Sequence, residues 1–188
     1  LALSLYRPTD AAAGVLRFRL FHSGAPVTLS DSLPMLEHMG FKVQDERPYR
    51  ITPAGMPAIW MHDFGIAGAS VGRGFDVDML HTVFEEAFAR IFRGEVENDD
   101  FNRLVAAAQL PATEVVVLRA YAKYMRQIGF ALSQAFIEAT LAAHADIAAQ
   151  LALLFELRFD PAGGADADAR AAAQVTAIEA ALEHVENL

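Results

Sequence analysis

The spacing of apolar residues changes period along this chain, and that change limits the fold more than any motif does. In Leu16-Arg17-Phe18-Arg19-Leu20 apolar and basic residues alternate, which is the two-residue period of a half-buried strand. From Asn98 onward the spacing is wholly helical. An opening stretch that mixes both periods, followed by one that uses a single period, specifies an α+β unit running into an all-α unit.

Local signals place the elements. Ala2 to Tyr6 reads as a strand, and Leu16 to Phe21 as a second. Ser30, Asp31 and Ser32 are candidate N-caps for a helix with Pro34 in its first turn, closed by Gly40. A strand begins at Phe41, reaches toward Arg47 and extends past Pro48 through Tyr49-Arg50-Ile51; another covers Ala58 to Phe64. A glycine-rich loop is expected from Gly65 to Gly74. A helix follows from about Asp78 to Arg93, with Leu80, Phe84, Phe88 and Ile91 on one stripe. The expected fold is a ferredoxin-like or ACT-like βαββαβ antiparallel sheet with two helices on one face over residues 1–96, then a helical domain over 97–188.

In the helical part, Pro111 opens a helix that stops at Gly129, with Val117, Tyr121, Tyr124 and Ile128 as its apolar face and Arg119, Lys123 and Arg126 on the other. Ser133 caps the next helix, which ends near His144. Asp146 caps another, striped by Ile147, Leu151, Leu154 and Phe155 and broken at Asp160-Pro161. Beyond the Ala162 to Ala165 hinge, residues 166–187 form a last, alanine-rich helix.

Composition removes whole classes of chemistry. A net charge of −9 over 188 residues does not suit phosphate-backbone binding or an anionic membrane surface. Without cysteine there is no disulfide, thiolate nucleophile or thiolate metal site. No apolar run reaches about 20 residues, and no secretory leader is visible. The chain opens on Leu1 and stops at Leu188 in helical spacing, so it reads as a piece of something larger.

The remaining candidates have ordinary explanations. Gly72-Arg73-Gly74 carries half a dinucleotide fingerprint, and neither Lys42 nor Lys123 follows a glycine. His62 and Asp63 are strand neighbours, so they face opposite ways. His81 and Glu85 sit at i,i+4 and form a hydrogen-bonded pair rather than a metal site. The clusters Asp45-Glu46-Arg47 and Glu95 to Asp100 read as solvated turns and helix caps. Tyr121, Tyr124 and Met125 are candidates for a ligand pocket, but read as core or a helix–helix seam.

Several segments resemble the large, multidomain bacterial NAD-dependent glutamate dehydrogenases. They are Leu5-Tyr6-Arg7-Pro8, the run from Leu29 to Gly40, Asp45 to Tyr49, Trp60 to Phe64, Glu97 to Leu104, Leu118 to Gln127, and Leu154 to Pro161. The resemblance implies a fragment of the N-terminal region, an ACT-like module plus a helical segment. The glutamate site and the NAD-binding fold of that family would lie outside it. No catalytic, cofactor or metal residue is therefore assigned to this piece. The resemblance implies that NAD is the cofactor of the full-length enzyme, expected to be a cytoplasmic oxidoreductase.

The role so implied is regulatory or assembly. The partners are other domains of the same polypeptide, further subunits of a homo-oligomer, and a small amino-acid effector near Ser30, Asp31 and Gly40. Two alternatives stand beside it. One is a ligand-free scaffold, favoured if the helical half exposes apolar stripes. The other is an independent small enzyme, which would need a polar pocket.

Overall fold

The computed structural model describes residues 1–9, 15–68 and 77–185. Strands β1 (Ala2–Tyr6) and β2 (Leu16–Ser23) precede helix α1 (Leu29–His38), strands β3 (Phe41–Ile51) and β4 (Ile59–Gly68), and helix α2 (Val77–Phe92). The four strands form an antiparallel sheet in the order β1-β2-β4-β3. This is the ACT-like α+β fold with one feature of connectivity. The edge beside β2, which the last strand of a βαββαβ unit would fill, is filled here by the first strand of the chain.

Strand pleat sorts the side chains. Leu5, Phe18 and Phe64 share one face, as do Leu16 and Ile66, and all five are buried. Phe84 and Phe88 of α2 meet Phe18 with ring centroids 5.1 and 4.8 Å apart, and Phe84 meets Phe41 at 5.1 Å. Edge-to-face aromatic packing of this kind adds to simple area burial. Leu36 and Met39 bring α1 into the same cluster.

The pairing of β3 with β4 slips between Val43 and Asp45. Such a bulge reverses the alternation beyond it. Asp45, Arg47, Tyr49 and Ile51 consequently lie opposite Gly65, Asp63, Met61 and Ile59 on the face away from the core, while Glu46 lies opposite Phe64. Pro48 is accommodated because β3 is an edge strand. Asp45-Glu46-Arg47 is therefore mid-strand, as the strand expected from Phe41 toward Arg47 has it and not as the solvated turn its charges suggested. Gly65 to Gly68 also belong to β4 rather than to a loop. Residues 69–76, with the Gly72-Arg73-Gly74 half-fingerprint, lie outside the described residues.

A 3-10 turn (Asp100–Asn102) leads into α3 (Arg103–Ala107), α4 (Ala112–Gln127), α5 (Gln134–Ala143), α6 (Ala145–Phe159) and α7 (Ala167–Leu182). Ser133 caps α5, its hydroxyl accepting from the Phe136 amide. Apolar burial runs without a break from the sheet through Phe101, Leu104, Val115 and Ala148. α7 packs along α6. Among the described residues no single helix is long and apolar enough to cross a membrane.

Candidate functional site

The open face of the sheet carries a buried ionic network. Asp63, with 8% of its side chain exposed, accepts from Arg17 Nε at 2.7 Å, Tyr6 OH at 3.1 Å and Arg19 Nε at 3.4 Å. Arg17 Nη2 also donates to the Asp63 carbonyl at 2.9 Å and to Asp45 at 3.1 Å. Burial alone would lower the Arg17 pKa, but hydrogen bonds to Asp63 and Asp45 outweigh it and raise the value. The Tyr6 hydroxyl is pushed up by burial and by the Asp63 charge. Gly65 makes room for this pairing, since a Cβ there would collide with the Asp45 carboxylate.

His62 points the other way, as adjacent strand residues must. Its Nε2 accepts from the Val27 amide at 3.3 Å, so the ring hydrogen sits on Nδ1, which donates to Glu46 at 2.8 Å. His81 and Glu85 form the expected pair at 3.0 Å. Glu85 also accepts the Leu5 amide of edge strand β1 at 2.6 Å. These groups hold one another.

A second ionic cluster fixes the helical half. Arg119 was expected on the solvent side of α4; it is 1% exposed. Its Nε and Nη2 grip the Asp99 carboxylate at 2.8 and 2.7 Å, and Nη2 reaches Asn102 Oδ1 at 2.8 Å. The guanidinium lies 5.6 Å from the Phe101 ring centre. Lys123 pairs with Glu97, whose carboxyl is held below the usual range first by that hydrogen bond. The signal for Arg119 was present in its phase. It shares a helical face with Val115, Leu118 and Ala122, the positions that α4 buries.

The expected apolar face of α4 is correspondingly exposed. Tyr121 is 49%, Tyr124 57% and Ile128 65% accessible. The helices close up through small residues instead, with Ala122, Ala148 and Ala152 buried. Larger side chains of α4 and α6 are left lining a groove of about 380 Å³. Its walls include Leu118, Tyr121, Met125, Leu154 and Phe155, and Arg158 is the one charged residue in the lining. The Tyr121 and Phe155 rings meet edge-on at 6.2 Å. Phe159, also in the lining, is exposed, as are Phe130 and Phe136 elsewhere in the helical half.

The structure does not bring Ser30, Asp31 and Gly40 together. Ser30 and Asp31 lie in the first turn of α1, capped by Thr28, whose hydroxyl donates to Asp31 at 2.6 Å. Gly40 follows the other end of the helix with φ +85° and packs near Arg103. About 15 Å of helix separates the two places.

Two glutamate dehydrogenase family models match the chain, the ACT3 domain over residues 1–80 and helical motif 3 over residues 96–161. The NAD-specific glutamate dehydrogenase of Halomonas elongata is 46% identical over 162 residues, 86% of this chain and 10% of the relative. The chain belongs to the glutamate dehydrogenase family.

The enzyme of the same name from Pseudomonas aeruginosa is 41% identical over 159 residues, covering 85% of this chain and 10% of the relative. That of Mycobacterium tuberculosis is 40% identical over 182 residues, covering 89% and 11%. The chain thus spans about a tenth of the length of the curated relatives it matches. The Asp63 network lies within the ACT3 match. The Arg119 clasp and every residue lining the groove lie within helical motif 3.

Proposed function

We propose that this segment is a non-catalytic regulatory and assembly region of an NAD-dependent glutamate dehydrogenase. Its units would be the ACT-like domain of residues 1–96 and the helical domain of 97–188. The full-length polypeptide would act in the cytoplasm, oxidising L-glutamate with NAD to 2-oxoglutarate, ammonium and NADH, with NAD held outside this segment. Further subunits of the same enzyme would be its homo-oligomeric partners.

The observation that carries this reading is the bare apolar surface around the α4–α6 groove. Tyr121 and Phe159 of its walls are 49% and 60% exposed, and an apolar patch of this kind marks a surface that a partner covers. An amino-acid effector near Ser30, Asp31 and Gly40 is the weaker reading. Thr28 already engages Asp31, and Gly40 stands at the opposite end of α1.

The test is Tyr121→Ser with Phe159→Ser in the full-length polypeptide, read by light scattering and by NAD reduction with glutamate. Loss of assembly with retained helical content supports the reading. Unchanged mass and unchanged rate reject it. Glutamate-dependent NAD reduction by residues 1–188 alone also rejects it.

A further inference from the structure

We propose that the α4–α6 groove receives an amphipathic helix bearing an acidic side chain, supplied by the same polypeptide from outside residues 1–188. This rests on the assembly reading above and names the occupant of its surface.

Shape favours a helix. The groove is lined by side chains rather than by an open strand edge. An incoming strand would leave backbone groups unpaired there, whereas a helix satisfies its own. The α4 wall of the groove runs from Val117 to Met125, about two turns or roughly 12 Å. That length matches apolar anchors at i, i+3 or i+4, and i+7 of an entering helix.

Charge selects the acidic side chain and argues against a second copy of this chain. The whole chain carries a net charge of −9, yet the charged residue in the groove wall is a cation, Arg158. Arg158 makes no ion pair among the described residues. A two-fold self-pairing presents the same patch from both sides, so the lining of a second copy brings another Arg158 and no carboxylate to pair with the first. A carboxylate on a different helix instead meets a guanidinium where surrounding apolar side chains reduce screening. The source follows from length, since the matched relatives are about ten times longer than the stretch aligned here.

The test places a photo-crosslinking amino acid at Tyr121 or Met125 of the full-length polypeptide, with Val116, an exposed α4 residue outside the groove lining, as the control. Crosslinked peptides are identified by mass spectrometry. The expected product joins α4 to a helix-patterned segment outside residues 1–188 that carries Asp or Glu, at a yield well above the Val116 control. Arg158→Glu lowers that yield about tenfold, the effect of losing one charge-assisted contact, and Arg158→Lys largely retains it. Crosslinks to residues 1–188 of another copy overturn the inference while leaving the assembly reading in place. Yields at Tyr121 and Met125 no higher than at Val116 also overturn it, as does indifference to Arg158→Glu.

Discussion

Arg119→Met removes the charged head that ties α4 to the turn before α3 while keeping most of the apolar stem. In the folded chain Arg119 makes a two-pronged bond to Asp99 and a third bond to Asn102. The Asp99 side chain keeps 19% of its surface in water, so its charge is partly rehydrated once the partner is gone. Asn102 is 3% exposed and loses a donor to Oδ1 that water cannot readily replace. Breaking a buried pair by deleting one member costs about 3–5 kcal/mol. Partial access to Asp99 places this variant at the lower end, about 3 kcal/mol. For a chain of this size that corresponds to a fall in melting temperature of about 6–12 °C. Urea unfolding followed by far-UV circular dichroism measures the loss. Asp99→Asn combined with Arg119→Met should cost clearly less than the two single losses summed, with a coupling of at least about 1.5 kcal/mol. A single variant within about 0.5 kcal/mol of the parent, or an additive double variant, refutes the clasp.

Glu114 titrates above the usual glutamate range because of burial first and the Glu156 charge second. A raised folded-state value means that its contribution to stability is complete below the unfolded value and lost as pH rises through the folded one. Glu114→Gln should therefore raise stability at neutral pH and flatten the fall above the ordinary glutamate range in unfolding series. Glu97 has the opposite sign: its lowered value, due first to Lys123, gives stability present above the unfolded value and lost as pH falls through the folded one, and Lys123→Met should shrink that acid limb, with a backbone hydrogen bond and the Arg119 charge keeping the rest. Gly65→Ala should displace the Asp45 carboxylate from Arg17, costing about 1 kcal/mol because Asp45 is half-exposed; with Asp45→Ala already present the further cost should shrink. Gly40→Ala, at φ +85°, should lose about 1–2 kcal/mol, and an unchanged unfolding midpoint counts against that backbone reading.

Element type was legible from spacing because strand and helix periods follow from backbone geometry within a few residues. The alternation in β2, the cap at Ser133 and the stops at Gly40 and Gly129 appear where the residues indicate them. The facing of Asp45 and Glu46 was not legible. One bulge decides it, and a bulge is a property of two strands paired together.

Which side of a helix counts as inside was also settled only by packing. Taken alone, α4 turns its largest apolar residues inward, with Val117, Tyr121 and Ile128 on one stripe. In the fold it buries Val115, Leu118, Arg119 and Ala122, because Asp99 and Asn102 arrive from another element to neutralise and bond the arginine. Close approach through alanines of α6 completes that arrangement. Local periodicity reports what one segment prefers by itself. Burial of a charge and exposure of an aromatic stripe depend on partners distant in the chain, and those partners made the groove.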